Sequence, residues 1–141
     1  MFSALDLKSA YHQIPLHKDD KPYTAFEADG KLFQFCRLPF GLTNAVSAFQ
    51  RSMNDLIQEY KLKDTFAYLD DILVCGRTPE EHDANLQRFK DVAHEVCLTL
   101  NNSKCLYKQT SIKYLGFLIE NGTLRPDPDR LKLSKRVTNP N

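Results

Sequence analysis

The sequence predicts an α+β domain, a ferredoxin-like split βαβ sheet with two packed helices. Three observations lead there. Apolar residues in 44–60 recur at three- and four-residue steps, the period of a helix with one buried face. The apolar runs 66–69 and 72–75 are separated only by Asp70-Asp71, which makes them a tight hairpin with two carboxylates at its tip. With one inserted hairpin set aside, the remaining order is strand, helix, strand, strand, helix, strand.

In chain order, residues 2–7 form a short strand ending near Asp6, and 9–14 a helical turn before Pro15. Residues 17–22 hold Asp19, Asp20 and Pro22 and form a loop. The runs 23–26 and 32–35 flank Asp29-Gly30, a hairpin signal because glycine accepts the positive φ of the turn. The helix over 44–60 turns Ala45, Ala48, Phe49, Met53, Leu56, Ile57 and Tyr60 to one side, and Thr43 or Asn44 can cap its start. After the 66–75 hairpin, Thr78-Pro79-Glu80-Glu81 opens a second helix. Thr78 is its N-cap, Pro79 takes the first helical position and Glu81 completes a capping box. Its apolar face carries Leu86, Phe89, Ala93 and Val96, and Asn101-Asn102 ends it. A short strand follows at 105–107 and a stronger one at 114–119, and Asn121-Gly122 marks another hairpin. Beyond Pro126 the chain turns polar and proline-rich, and no stable packing is expected.

In a split βαβ sheet the first and second strands run parallel, and the third lies between them, antiparallel to both. The end of the first strand and the turn joining the next two then share one edge. Asp6 is thereby brought to Asp70 and Asp71. Clustered carboxylates repel, and a divalent cation relieves the conflict. Mg²⁺ favours one or two carboxylates with substrate phosphates and retained waters. Two such ions about 4 Å apart can clamp both oxygens of a phosphoryl transfer. A lone Asp-Asp is more often only a turn; the apolar flanks and Asp6 distinguish this one.

Bulk properties are consistent with one ordinary domain. The chain has 141 residues, 42% hydrophobic and 26% charged. No apolar run approaches the roughly 20 residues of a membrane helix, and no signal peptide is visible. A net charge of +1 neither demands nor excludes nucleic acid, because placement of cations matters more than their sum. Arg125, Arg130, Lys132, Lys135 and Arg136 form the clearest basic cluster, suited equally to solvent and to phosphate. Cys36, Cys75, Cys97 and Cys105 lack zinc-ligand spacing and are expected as free thiols.

Four segments, in order, carry a resemblance. Leu5-Asp6-Leu7-Lys8-Ser9-Ala10-Tyr11-His12-Gln13-Ile14 resembles the first palm motif of gypsy-type reverse transcriptases. Leu38-Pro39-Phe40-Gly41-Leu42-Thr43-Asn44-Ala45, with Ala48-Phe49-Gln50, resembles the second. Tyr68-Leu69-Asp70-Asp71 is similar to the Y-x-D-D box, and Tyr114-Leu115-Gly116-Phe117 to the primer-grip hairpin. Y-x-D-D alone is weak; four motifs in order over residues 2–128 are specific.

The resemblance implies a reverse-transcriptase palm over 1–128, with a fingers hairpin at about 15–37, a C-terminal primer-grip hairpin and a polar tail over 129–141. It implies RNA-directed DNA polymerase activity for a retrotransposon polyprotein. Asp6, Asp70 and Asp71 would be catalytic and would hold two Mg²⁺ ions, or Mn²⁺, with the Leu7 carbonyl as a further ligand. Tyr11 would be the steric gate against the 2′-hydroxyl. Phe40, Gly41 and Gln50 would line the nucleotide pocket, and Tyr114, Leu115 and Gly116 would bind the primer. Lys104 falls near the family's triphosphate lysine, although a surface lysine is the simpler reading. Partners would be an RNA or DNA template with primer, dNTPs and the rest of a polyprotein (fingers, thumb, ribonuclease H), with no membrane.

Two departures stand out. Val46-Ser47 replaces the family's usual proline after Asn-Ala. By the family's pattern the chain also begins inside the first palm strand and stops before the thumb, so an incomplete polymerase with poor activity alone is expected. A non-catalytic remnant serving as an interaction module is the alternative. An RNA-binding module shares the strand order, but Ile72-Leu73-Val74-Cys75 offers no ring for stacking.

Overall fold

Short aliphatic runs build the central sheet of the protein, whose structure, a computed structural model, describes residues 1–130. The sheet comprises β1 (Phe2–Asp6), β4 (Thr65–Tyr68), β5 (Asp71–Cys75) and β6 (Leu106–Gln109), in the order β4-β5-β1-β6. β5 is antiparallel to both β1 and β4, so β1 and β4 run parallel with β5 between them, the split βαβ arrangement. α1 (Ala45–Glu59) and α2 (Pro79–Glu95) complete this unit. β2 (Phe26–Ala28) and β3 (Lys31–Phe33) form a separate hairpin. β7 (Ser111–Tyr114), β8 (Phe117–Glu120) and β9 (Thr123–Pro126) form a three-stranded sheet.

Strand alternation divides the central sheet into two faces. Leu5, Ile72, Val74 and Ala67 join Phe49 and Met53 of α1 and Leu86, Phe89, Val92 and Ala93 of α2 in one core. The opposite face carries Ala4, Leu73, Phe66 and Leu106, a row set by strand register, and then Asp6 and Asp71.

A buried polar cluster ties α2 to the sheet. His82 and Ser3 are both fully buried, with Ser3 Oγ 2.9 Å from His82 Nε2. The Lys108 amide donates to Ser3 Oγ, and His82 Nδ1 meets Asp83 Oδ1 at 3.1 Å. His82 comes this close because Gly76 has no side chain: a Cβ there would lie 2.2 Å from the His82 backbone nitrogen.

Several expected boundaries move. Tyr23 belongs not to a strand but to a 3-10 turn, Lys21–Thr24, where Pro22 fixes φ at its start. The run 114–119 is two strands, because Leu115 and Gly116 take positive φ (51° and 82°) and turn the chain between Tyr114 and Phe117. β9 completes the hairpin that Asn121-Gly122 signals, whereas the ordered segment after it was not expected. The Asp127 amide donates to the Gly116 carbonyl at 2.9 Å, and Lys113 pairs with Asp127 and Asp129. Residues 127–130 therefore pack against the β7–β8 turn; the rest of the expected polar tail lies outside the described residues. α2 stops at Glu95, well before Asn101-Asn102. Cys97 adopts φ 60°, the Leu98 amide donates to Ala93 at 2.7 Å, and the Cys97 amide donates to His94, a Schellman ending. Val96 consequently caps the helix and is exposed rather than core. Ala48 likewise faces out from α1.

Candidate nucleotidyl-transfer site

The acidic residues meet where β1 ends. Asp6 and Asp71 are cross-strand partners, and the two-residue turn between β4 and β5 is Leu69-Asp70, because Tyr68 pairs with Asp71. This shifts the expected Asp70-Asp71 tip by one residue. Alternation then sets Asp71 on the helix-free face with Asp6, while Asp70 occupies the turn. The Leu7 amide donates to the Asp70 carbonyl at 3.0 Å, which ties the turn to the end of β1.

Asp71 sits within the field of the other two acids. The Asp71 carboxyl is raised from its ordinary value by burial first, then by the charges of Asp70 and Asp6, with Lys104 opposing. Among the described residues no three Asp, Glu, His or Cys side chains close into a ready-made metal cage. The donor set nevertheless suits Mg²⁺: hard carboxylate oxygens, too few to saturate it, beside open space for phosphates and water.

That space is a cavity of about 350 Å³ lined by Asp6, Asp70, Tyr11, Phe40 and Lys104, among others. Tyr11 reaches it from the 3-10 turn Ala10–Gln13. Its ring meets Phe40 edge-on at 5.1 Å and Phe49 at 5.2 Å, which fixes its orientation. Lys104 is thus more than a remote surface lysine, since its charge bears on the acids. Gly41 follows Phe40 at φ 86° but does not line the cavity. A larger cavity, about 510 Å³, opens at the other end of β1 beside Gly76; among the described residues Asp64 is the only carboxylate lining it, whereas Asp6 and Asp70 line the smaller one.

Gln50 does not line the cavity either. Its Oε1 accepts the Leu69 amide at 2.8 Å and its Nε2 donates to the Ala67 carbonyl at 2.8 Å. Both bonds brace the acidic turn, where Leu69 sits at φ 54°, a conformation that costs a non-glycine residue about 1–2 kcal/mol. Gln50→Leu should strand the half-buried Leu69 amide and loosen the turn by roughly 1–3 kcal/mol. Amide exchange at Leu69 should then quicken about tenfold or more while the core amides hold. Unchanged exchange at Leu69 would remove this bracing role.

Cys105 and Asn101 were not singled out by the sequence. The Asp6 amide donates to Cys105 Sγ at 3.4 Å, and the Asp6 carbonyl accepts the Asn101 amide at 2.7 Å. No spacing signal marks either residue, because the contact exists only once β6 lies beside β1. At the other side of the acids, the Tyr114 hydroxyl donates to the Asp71 carbonyl at 3.4 Å. Burial, then Asp71 and Cys75, pushes the Tyr114 phenol up to about 12, so it remains a donor at neutral pH. Leu115 and Gly116 follow it at the β7–β8 tip.

Comparison with known proteins identifies the family. The pattern of the family described as reverse transcriptase (RNA-dependent DNA polymerase) matches residues 1–119. The Pol polyprotein from transposon gypsy of Drosophila melanogaster is 33% identical over 139 residues, 99% of this chain and 13% of that protein. The Tf2-3 transposon polyprotein of Schizosaccharomyces pombe is 31% identical over 126 residues, 89% of this chain and 10% of its own length. The foamy viral protease-reverse transcriptase solved with an RNA/DNA hybrid superposes with a TM-score of 0.82 at 25% identity, covering 99% of this chain and 19% of that one. The same viral protein with double-stranded DNA gives a TM-score of 0.84, again at 25% identity, over 99% of this chain and 24% of that one. The chain therefore spans only a small part of the relatives it matches. Its motifs, its sheet order and these matches agree: the chain belongs to the reverse transcriptase (RNA-dependent DNA polymerase) family.

Proposed function

We propose that this chain is the palm, with part of the fingers, of an RNA-directed DNA polymerase from a gypsy-type retrotransposon polyprotein. The observation that carries it is the meeting of Asp6, Asp70 and Asp71 beside a cavity lined by Tyr11 and Phe40. In this reading the central sheet with α1 and α2 is the palm, the segment 15–37 with β2 and β3 belongs to the fingers, and the β7–β8 turn is the primer grip.

Asp6 and Asp70 would hold the Mg²⁺ ions, Asp71 would support them and the Leu7 carbonyl would supply a further oxygen. When bound, two such ions stabilise charge on the attacking and leaving oxygens of nucleotidyl transfer. The protein's own groups do the positioning. Tyr11, packed between Phe40 and Phe49, presents a ring beneath the sugar and leaves no room for a 2′-hydroxyl. Phe40 borders the incoming dNTP, Gly41 turns the chain behind it without lining the cavity, and Lys104 offers a cation to its phosphates. Gln50 acts through the Leu69-Asp70 turn rather than by touching the nucleotide. Tyr114, Leu115 and Gly116 seat the primer end, and the helix-free face of the sheet receives the primer–template duplex.

Calorimetric titration with Mg²⁺ tests this reading. Saturable binding is expected, weakened about tenfold or more in Asp6→Asn and in Asp70→Asn, as befits loss of a charged oxygen ligand. Any template-dependent primer extension should fall at least about a hundredfold in Asp70→Asn. No Mg²⁺ binding, or binding that both variants leave intact, would overturn it and return the reading to a non-catalytic remnant.

A further inference from the structure

We propose that Arg130 binds a backbone phosphate of the primer strand, adding a charged contact to the grip formed by the β7–β8 turn. The inference rests on the polymerase reading above. Arg130 lies over that turn: a Cβ on Gly116 would stand 2.7 Å from its Nη1 and 3.0 Å from its Cζ. The guanidinium therefore occupies the space that glycine leaves open. The segment carrying it is fastened there, since the Asp127 amide donates to Gly116 and the Arg130 amide to Asp127.

The charges around the turn distinguish Arg130 from its neighbours. Lys113 is spent on Asp127 and Asp129, and Arg125 on Glu120 at 3.0 Å. Among the described residues no carboxylate pairs with Arg130, which is exposed. Lys113 offsets one of the two aspartate charges that would otherwise repel an anion from this spot. What remains is one guanidinium lying over the turn, always charged, whose fork matches phosphate oxygens.

Its location decides which anion it meets. Tyr114, two residues before Gly116, donates to the carbonyl of Asp71. In the polymerase reading, a primer whose end reaches Asp6 and Asp70 runs past this turn, and its phosphates are the anions that pass. The basic C-terminal cluster of the sequence is thereby given a function at one of its members, Arg130.

The test is binding of this chain to a fluorescent primer–template duplex by anisotropy across a salt series. Loss of one phosphate contact lowers the slope of log affinity against log salt by about 0.9. Arg130→Gln should show that drop and weaken binding severalfold, Arg130→Lys should keep the slope, and Arg125→Gln should leave it unchanged. Thermal melts of each variant confirm folding. Wild-type binding whose slope Arg130→Gln leaves intact overturns this inference and spares the polymerase reading. An equal drop in Arg125→Gln also overturns it, because the effect would then be general charge. Absence of duplex binding by the wild-type chain at low salt overturns both.

Discussion

Gly76→Ala is expected to destabilise the protein more than alanine at any of its other glycines. The new Cβ would stand 2.2 Å from the His82 amide nitrogen and 2.4 Å from its α-carbon. These are backbone atoms in the first turn of α2, so no rotamer change relieves the clash. His82 cannot retreat without surrendering Ser3 Oγ at 2.9 Å, the bond that holds α2 to β1 in the interior. Overpacking against flexible side chains costs about 1–3 kcal/mol, and a rigid backbone partner should bring the cost to roughly 3 kcal/mol or more. That is a large share of the 5–15 kcal/mol that holds a domain together. Thermal unfolding followed by circular dichroism should show Tm lower by about 10 °C or more. A variant melting within about 2 °C of the wild type would mean that α2 can shift as a body, and that the polar cluster does not fix its position.

The same contact shows what a sequence can and cannot reveal. Thr78-Pro79 at the start of α2 is visible because capping chemistry is local, and the Glu81 amide does donate to Thr78 Oγ1 at 3.1 Å. Gly76, two residues earlier, looks like any loop glycine until α2 is packed. The end of α2 was hidden for a related reason, whereas the end of α1 near Tyr60 was legible from its apolar period. Both helices close in Schellman turns whose left-handed residues are Lys61 and Cys97, positions where glycine is the usual signal. Strand order was legible, since the order of elements and the period-two pattern leave few topologies open. Register was not. The sequence shows Asp-Asp between apolar runs, but the Gln50–Leu69 and Leu7–Asp70 bonds that hold the turn one residue earlier form only in the packed fold. That single step decides whether Asp71 sits at a tip or on the face beside Asp6.

Asp71→Asn is expected to separate stability from function at the acidic site. In the metal-free protein Asp71 is raised by burial and by Asp70 and Asp6, so its charged form is disfavoured in the fold. The folded chain then keeps a proton that the unfolded chain releases. Stability falls as pH rises from the ordinary value, 3.8, through the raised folded value, and levels off above it. An asparagine of the same shape carries no such penalty. At pH 7 in chelator the variant should melt a few degrees above the wild type, with a flatter acid limb. The backbone bond from Tyr114 to the Asp71 carbonyl is untouched by the change. Saturating Mg²⁺ reverses the order. A ligand at a hundredfold its Kd stabilises by about 2.7 kcal/mol, and only the wild type should gain this in full. Paired melts with and without Mg²⁺ therefore give curves that cross. If Asp71→Asn melts below the wild type even in chelator, its carboxylate is a structural acceptor and the repulsion argument fails. If the curves cross, the strain among the three acids is retained because an ion relieves it, which a merely structural turn would have no reason to keep.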